Sequence, residues 1–211
     1  MSHKISRLVA RRSSAALAAA ILALVAAPDT PLAQAQSRRV PDTFTATTTD
    51  MTPAGVTLRI DVVEWSDGAD RAAAVSALVG AADDAGSLAQ LPTIGFVWSS
   101  GSAAGHAIKY AHRVQESDGR ERLTFVTDKR LDAYSFKPWT AGGAGTEDSL
   151  DYSVIELYLD GEGKGTGTLS LAAEVILDDG QHVVSLAEGD VSARLLTDAV
   201  AEPKPYWAQG G

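Results

Sequence analysis

The sequence predicts a mainly β fold: an antiparallel meander of about eight strands, closed as a barrel or folded as a sandwich, with one short helical insert at about residues 68–91. Two observations support this prediction. Apolar and polar residues alternate with a period of two along most of the chain after residue 43, which is typical of strands with one buried face. Short turns rich in glycine and aspartate separate these runs, and consecutive strands joined by short turns form a meander.

The first two strands are predicted at residues 44–50 and 56–65. The first is rich in threonine, and the second places Val56, Leu58 and Ile60 on one face, because side chains of a strand alternate between its two sides. From residue 70 to residue 91 the apolar residues recur at helical spacing, with a break in the middle. This region is therefore predicted to form two short helices, which could cover one open end of a barrel.

A hairpin is predicted next, from strands at residues 94–98 and 106–115 with a small-residue loop between them. The dipeptide Asp118-Gly119 then indicates a two-residue type I′ turn, which fixes the register of the following strand. Counting back from this turn gives four cross-strand pairs, and the last pair is predicted to form a salt bridge. They are Val114 with Leu123, His112 with Phe125, Tyr110 with Thr127, and Lys109 with Asp128.

The remaining strands are predicted at residues 152–160, 166–177, 182–187 and 191–197. The glycine-rich stretch 160–167 lies between the first two. It lacks the ligands of a calcium loop, the Gly-Lys-Ser/Thr order of a phosphate loop and the helix that follows a dinucleotide-binding turn. We therefore predict that it is a hairpin turn.

Residues 1–35 have the pattern of a signal peptide. A stretch rich in lysine and arginine precedes an uncharged apolar run over residues 15–27, and the small-residue site Ala33-Gln34-Ala35 follows. Arg11-Arg12 is also compatible with a twin-arginine export signal. The residues after it are small and not bulky and apolar as in that signal, so Sec export is favoured. We predict cleavage after Ala35, a periplasmic or secreted location, and no integral membrane segment after processing.

The rest of the chain is predicted to be a flexible N-terminal segment at residues 36–43, a single β-rich domain at 44–200 and a flexible tail at 201–211. The sequence contains no cysteine, so a hydrophobic core and not disulfide bonds must hold the domain together. About 170 residues can supply one such core.

The charge balance argues against two classes of partner. Removal of residues 1–35 takes away four basic and one acidic side chain, which moves the formal net charge from −9 to −12. Binding to nucleic acid or to anionic lipid depends on clustered lysine and arginine, and no such cluster follows Arg38-Arg39. We therefore expect neither partner.

No motif of a known reaction emerges. His106 and His112 share one strand face but are about 20 Å apart along it, so they cannot hold one metal ion. The sequence has no Gly-x-Ser-x-Gly, no His-Glu-x-x-His and no thiol. The sequence predicts no catalytic residue, no metal site and no cofactor. A catalytic acid/base pair of two carboxylates stays an open alternative. The candidates include Glu64, Asp128, Glu156 and Glu174.

Four aromatic residues are candidates for a ligand-binding pocket: Trp65, Phe96, Trp98 and Tyr110. Ligand-binding barrels line their cavities with such side chains. The alternative is that these residues belong to the core.

Several segments resemble a group of small exported bacterial proteins of unknown function. They are Phe44-Thr45-Ala46, Glu64-Trp65-Ser66, Leu91-Pro92 before Gly95, residues 105–111, Asp118-Gly119, residues 127–130 and residues 155–160. This resemblance implies export and a single fold, and it implies no catalytic residue.

Three hypotheses about function remain. The first is an exported, non-enzymatic β-domain that binds a small apolar or amphipathic molecule, or an envelope protein, in a barrel mouth or along the loop from Trp98 to His106. The second is a hydrolase or isomerase that uses carboxylates such as Glu64 and Asp128, at a separation of about 5–9 Å. The third is a structural or assembly protein that pairs a sheet edge with another chain.

Overall fold

The fold is described by a computed structural model at residues 40–49, 51, 52, 55–80, 87–102, 104–132, 140, 141, 152–171, 175–178, 182–186 and 193–205. The chain divides into Met1–Ser37 and Arg38–Gly211, and all of these residues belong to the second unit. The predicted signal peptide lies outside the described residues. So do residues 36–39 of the N-terminal segment and residues 206–211 of the tail.

Eight antiparallel strands form a closed barrel, which confirms the mainly β prediction and selects the barrel over the sandwich. In chain order the described strands are β1 (Asp42–Thr48), β2 (Met51–Thr52), β3 (Thr57–Val62), β4 (Gly95–Ser99), β5 (His106–Gln115), β6 (Glu121–Thr127), β7 (Thr140–Ala141), β8 (Val154–Leu159), β9 (Lys164–Ser170), β10 (Val175–Asp178), β11 (Val183–Leu186) and β12 (Ala193–Ala201). The barrel runs β1-β3-β4-β5-β6-β8-β9-β12, and β12 pairs with β1 to close it. Each barrel strand therefore pairs with the next one along the chain, as in a meander.

Two short sheets lie outside the barrel order: β10 pairs with β11, and β2 pairs with β7. The strand predicted at residues 166–177 is in fact two strands, since β9 ends at Ser170 and β10 begins at Val175. The last strand continues past its predicted end to Ala201. Its register shifts between Leu196 and Ala199, and Asp198 has a φ of 51°. This bulge interrupts the period of two, which is why the alternation in the sequence stops early.

Apolar side chains from all eight barrel strands form one interior cluster. Eight strands enclose a space that side chains alone can fill. The rings of Phe44, Trp65 and Phe125 meet inside, with centroids 5.9–6.2 Å apart. The barrel interior is therefore a hydrophobic core.

A second cluster lies on the outer wall of the barrel. The helix α1 (Gly68–Gly80), a 3₁₀ turn η1 (Leu88–Gln90) and the β10–β11 hairpin cover apolar residues of β5, β6 and β8. The two predicted helical pieces are confirmed, but the prediction that they cover an open end is wrong. Tyr110, Val126 and Val154 point outward from these strands, so the wall itself has an apolar outer face that needs a cover.

Asp67 caps the start of α1. Its side-chain oxygen accepts hydrogen bonds from the backbone N–H groups of Ala69 at 2.7 Å and Asp70 at 2.9 Å. The Asp70 carboxylate accepts one in return from the Asp67 N–H. Such a reciprocal cap satisfies N–H groups that the first helical turn leaves unpaired. Both helical segments in the described part of the chain are too short or too polar to cross a bilayer.

The predicted register between β5 and β6 is wrong by one residue. Gln115 pairs with Glu121, Arg113 with Leu123 and Ala111 with Phe125. The turn has three residues and not two, since the Glu116 N–H donates to the Arg120 carbonyl and Gly119, with a φ of 88°, lies between them. An Asp-Gly dipeptide fits this longer loop as well as a type I′ turn, and the extra residue shifts every pair.

The predicted salt bridge between Lys109 and Asp128 does not form. The register shifts between Ile108 and Tyr110, so Lys109 occupies a bulge in β5. Its ammonium donates hydrogen bonds to the carbonyl oxygens of Ala89 at 3.2 Å and Leu91 at 2.7 Å, and to the Thr93 hydroxyl at 3.1 Å. Lys109 thereby ties the segment before β4 to β5.

The glycine-rich stretch after β8 is a hairpin turn, as predicted. The Asp160 carboxylate accepts the N–H groups of Glu162 at 2.8 Å and Lys164 at 3.0 Å. Gly163 has a φ of 74°, which glycine adopts without steric cost. The turn's polar groups are used to shape the turn itself.

Candidate functional site

The four aromatic residues predicted to bind a ligand do not line one pocket. Trp65 lies at one end of the barrel interior, where its indole N–H donates to Asp42 at 2.8 Å and Arg113 stacks 3.9 Å above its ring. Tyr110 is fully buried in the outer-wall cluster, and its hydroxyl accepts the N–H of Val184. Both side chains therefore make their packing contacts and hydrogen bonds with other residues of the protein.

Phe96 and Trp98, in contrast, are brought together on the surface. Both point outward from β4, with 41% and 44% of their surface exposed. Their ring centroids are 6.0 Å apart, and the ring planes are inclined by 37°. A Cβ on Gly105 would come within 2.9 Å of the Trp98 indole, so the absence of a side chain there lets the indole lie against the loop.

The strands next to β4 add polar side chains in register with these rings. Trp98 pairs with Arg59 on β3, which pairs with Thr45 on β1, and Phe96 pairs in the same way with Asp61 and Thr43. Neighbouring strands are about 4.8 Å apart, so each row spans about 10 Å of the barrel surface. We call these six residues the aromatic platform: Phe96, Trp98, Arg59, Asp61, Thr43 and Thr45.

The charged pair of the platform is held in a fixed geometry. The Arg59 Nε donates to both carboxylate oxygens of Asp61 at 3.1 Å, and the Thr43 hydroxyl donates to one of them at 2.8 Å. The hydrogen bond to Asp61 and its negative charge raise the pKa of Arg59. The Arg59 side chain is 54% exposed and that of Asp61 19%. The platform thus presents two rings, a compensated ion pair and two threonines.

The turn at Gly119 lies at one end of the barrel. At the other end, where β5 begins at His106, polar side chains point into the barrel. They are Thr48, Ser99, His106, Thr127 and Ser153, and all are buried. The Thr48 hydroxyl accepts the Val56 N–H, and the Ser153 hydroxyl accepts the Leu131 N–H. Leu131 itself is fully buried in the interior cluster. Burial is the main cause of a lowered pKa at His106. Side chains of the protein itself therefore occupy this end of the barrel.

The opposite end is occupied by Trp65 and a cluster of charges around Asp42. The Asp42 carboxylate accepts hydrogen bonds from Trp65, from Arg113 at 2.9 Å and from Lys204 at 2.9 Å. Burial alone would raise the pKa of Asp42, but these hydrogen bonds and charges outweigh it and lower the pKa. Side chains of the described residues thus lie at both ends of the barrel, and the aromatic platform lies on its outside.

The carboxylates considered for catalysis do not gather in one cleft. Glu64 follows β3 and Asp128 follows β6, and β4 and β5 lie between these two strands in the barrel. The strand pairing runs from Val62 through Gly95 and Ile108 to Thr127, so the two carboxylates lie three strand spacings apart, about 14 Å across the barrel wall. These two carboxylates are therefore too far apart to act as a pair. Glu174 lies outside the described residues.

Glu156 is buried on the outer wall beneath β11. Its carboxylate accepts the Leu186 N–H at 3.1 Å and the Tyr158 hydroxyl at 3.0 Å, and Arg122 lies 3.8 Å away. These contacts fasten the β10–β11 hairpin to the barrel. In the described part of the chain, no group of three histidine or acidic side chains is arranged to hold a metal ion.

The Tyr158 hydroxyl gives a test of this polar cluster. Burial chiefly, and then the charge and hydrogen bond of Glu156, raise the pKa of Tyr158 to about 12 from 10.0. The folded state then holds this proton more tightly than the unfolded state, so the stabilisation is complete below pH 10 and is lost as the pH rises to about 12. We expect the free energy of unfolding to fall less steeply in this range for Tyr158→Phe than for the wild type, as measured by denaturant unfolding at several pH values. Equal slopes would contradict the assignment.

Comparison with protein-family models, curated proteins and solved structures gives no match for this chain. The resemblance to small exported proteins therefore stays a prediction. The fold and the site define the molecule as a closed antiparallel barrel with a packed interior and an aromatic platform on its outer face.

Proposed function

We propose that this chain is a non-enzymatic binding protein that holds an amphipathic ligand on the aromatic platform. The observation that supports the proposal most is the pairing of two exposed rings, Phe96 and Trp98, beside an ion pair in register with them. Single exposed apolar residues are common on protein surfaces and need no function. Two adjacent rings are a different feature, because aromatic side chains supply a large contact area at a low cost in conformational entropy.

The platform also suits a ligand with two kinds of surface. The rings form one column along β4, and the polar side chains of β3 and β1 form the columns beside it. A ligand that lies across these strands would place its apolar side on the rings and its polar edge on Arg59 and Asp61. Apolar side chains of all eight strands pack together in the barrel interior, which favours this outer surface over a cavity as the place of binding.

The two other hypotheses gain less support. The carboxylates Glu64 and Asp128 follow strands that are three strand spacings apart in the barrel wall. The eight barrel strands all have two partners, so an assembly edge would have to come from the short sheets or from other parts of the chain. Export remains part of the proposal, on the pattern of residues 1–35 and on the resemblance to exported proteins.

An uncharged fluorescent probe tests the proposed function. We expect N-phenyl-1-naphthylamine to bind the protein saturably, and Phe96→Ala or Trp98→Ala to weaken this binding about tenfold or more, since central aromatic residues dominate binding energies. The measurement is a fluorescence titration, with circular dichroism to establish that each variant is folded.

Leu195→Ala is the matched control, because Leu195 is also a large apolar residue exposed on the outer face of a barrel strand, β12. It should leave probe binding unchanged. Probe binding that is equal in the wild type and in the Phe96→Ala/Trp98→Ala double variant would overturn the proposed function.

A further inference from the structure

We propose that the ligand of the aromatic platform is an uncharged oligosaccharide, with successive sugar rings lying on Trp98 and Phe96 and with hydroxyl groups bonded to Arg59 and Asp61. This inference rests on the proposed function and names its ligand class. Three features of the platform support it: the rings, the ion pair and the charge of the whole chain.

The two rings fit the apolar face of a sugar. A pyranose ring has C–H groups on its faces, and these carry a slight positive charge. The face of an aromatic ring is negative, so C–H groups are attracted to it. Phe96 and Trp98 both leave about two fifths of their surface open, and their centroids are 6.0 Å apart along the strand. Two neighbouring rings of one chain can therefore rest on the two side chains.

The ion pair fits the hydroxyl edge of the same sugar. A hydroxyl group is both donor and acceptor, so its best partners offer both functions at once. Arg59 binds Asp61 through its Nε, which leaves the two Nη groups of this half-exposed side chain to donate to a ligand. The Asp61 oxygens accept. Because Thr43 and Arg59 already fix the carboxylate, little side-chain entropy remains to be lost on binding.

The charge of the chain selects against other amphipathic ligands. The formal net charge is −9, and the platform's own charges cancel. A nucleotide or another polyanion would meet a repulsive field and an aspartate. A lipid needs an apolar space for its chains, but apolar side chains from all eight strands pack together in the barrel interior.

A protein partner is also less suited to the platform. A stable protein interface covers about 800 Å² on each side, with an apolar centre. Here the exposed rings form a single column on β4, and the ion pair and the threonines border it directly. A narrow row of sugar rings matches these dimensions.

The test uses the whole protein and three oligosaccharide probes. Chitohexaose and cellohexaose are uncharged, and a hexamer of galacturonic acid is anionic. We expect at least one uncharged probe to bind saturably in a calorimetric titration and to displace N-phenyl-1-naphthylamine. Arg59→Met and Asp61→Asn should each weaken sugar binding about tenfold, the effect of losing a charge-assisted hydrogen bond.

Arg120→Met and Asp118→Asn are the matched controls. Arg120 and Asp118 form an exposed ion pair with the same two-residue spacing, away from the platform. Their substitution should leave sugar binding unchanged. Sugar binding that is insensitive to Arg59 and Asp61, or stronger binding of the anionic hexamer, would overturn the inference.

The experiment separates the two proposals. If N-phenyl-1-naphthylamine binds at Phe96 and Trp98 but no uncharged hexasaccharide does, the sugar inference fails and the proposed function stands. If the apolar probe and the sugars both fail to bind, the proposed function fails as well.

Discussion

Lys109→Met is expected to lower the free energy of unfolding by about 2–3 kcal/mol, because hydrogen bonds to a charged group contribute about 1.5–3 kcal/mol each and part of this is recovered when water reaches the freed carbonyls. Lys109 is 8% exposed, and its ammonium binds Ala89, Leu91 and Thr93. Methionine keeps the unbranched shape of the side chain, so the loss reports on the hydrogen bonds and not on a cavity. Urea unfolding measures it.

The matched control is Lys164→Met, at the exposed start of β9. Lys164 pairs with Glu162 at 3.2 Å on the surface, and an exposed ion pair contributes at most about 1 kcal/mol. Amide hydrogen exchange gives a second readout, since the segment from Leu88 to Thr93 should exchange faster in Lys109→Met. Equal stability of the two variants would show that the ammonium does not hold this segment.

The alternation of side chains could be predicted because it is local. Leu58, Ile60 and Val62 point into the barrel, as the period of two indicates. The same pattern predicts that the meander packs on itself, since a long meander with one apolar face must bury it, but it does not distinguish a closed barrel from a sandwich. The helical insert was visible because its spacing changes to that of a helix.

Strand register is not local, and there the sequence was insufficient. One additional residue in the turn at Gly119 moves each partner of β5 by one position and exchanges the faces of the strands. The bulge at Lys109 adds a second shift. An aspartate-glycine pair is compatible with turns of two and three residues, so only the packing of the whole sheet decides between them.

The candidate site was predicted in part. The sequence predicts Phe96 and Trp98 as ligand-binding residues together with Trp65 and Tyr110, because an aromatic residue gives the same signal whether its ring faces a core or the solvent. Arg59 and Asp61 were missed as partners of the rings. Their outward direction could be derived from their alternation with Leu58 and Ile60. Their place beside β4 depends on strand pairing between distant segments, which the sequence alone does not show.

Gly167→Ala is expected to destabilise the fold by about 3 kcal/mol, at the upper end of the usual cost of overpacking. Gly167 pairs with Leu157 across β8 and β9. A Cβ at this position would clash with the backbone carbonyl oxygen of Glu156 and would come within 2.7 Å of the Leu157 Cδ2. A backbone atom of a paired strand cannot move aside without opening the barrel wall, so β8 and β9 must separate.

Gly161→Ala is the control that isolates this clash. A Cβ on Gly161 would have no atom within 4 Å, and the residue lies in the exposed turn between the same two strands. Both substitutions restrict the unfolded chain to the same extent, which favours folding by about 0.4–1 kcal/mol. The difference in the free energy of unfolding between the two variants therefore measures the cost of the clash inside the barrel. We expect Gly161→Ala to be neutral or slightly stabilising in urea unfolding and Gly167→Ala to be strongly destabilising. If the two variants unfold at the same urea concentration, β8 and β9 do not approach each other as closely as the barrel requires.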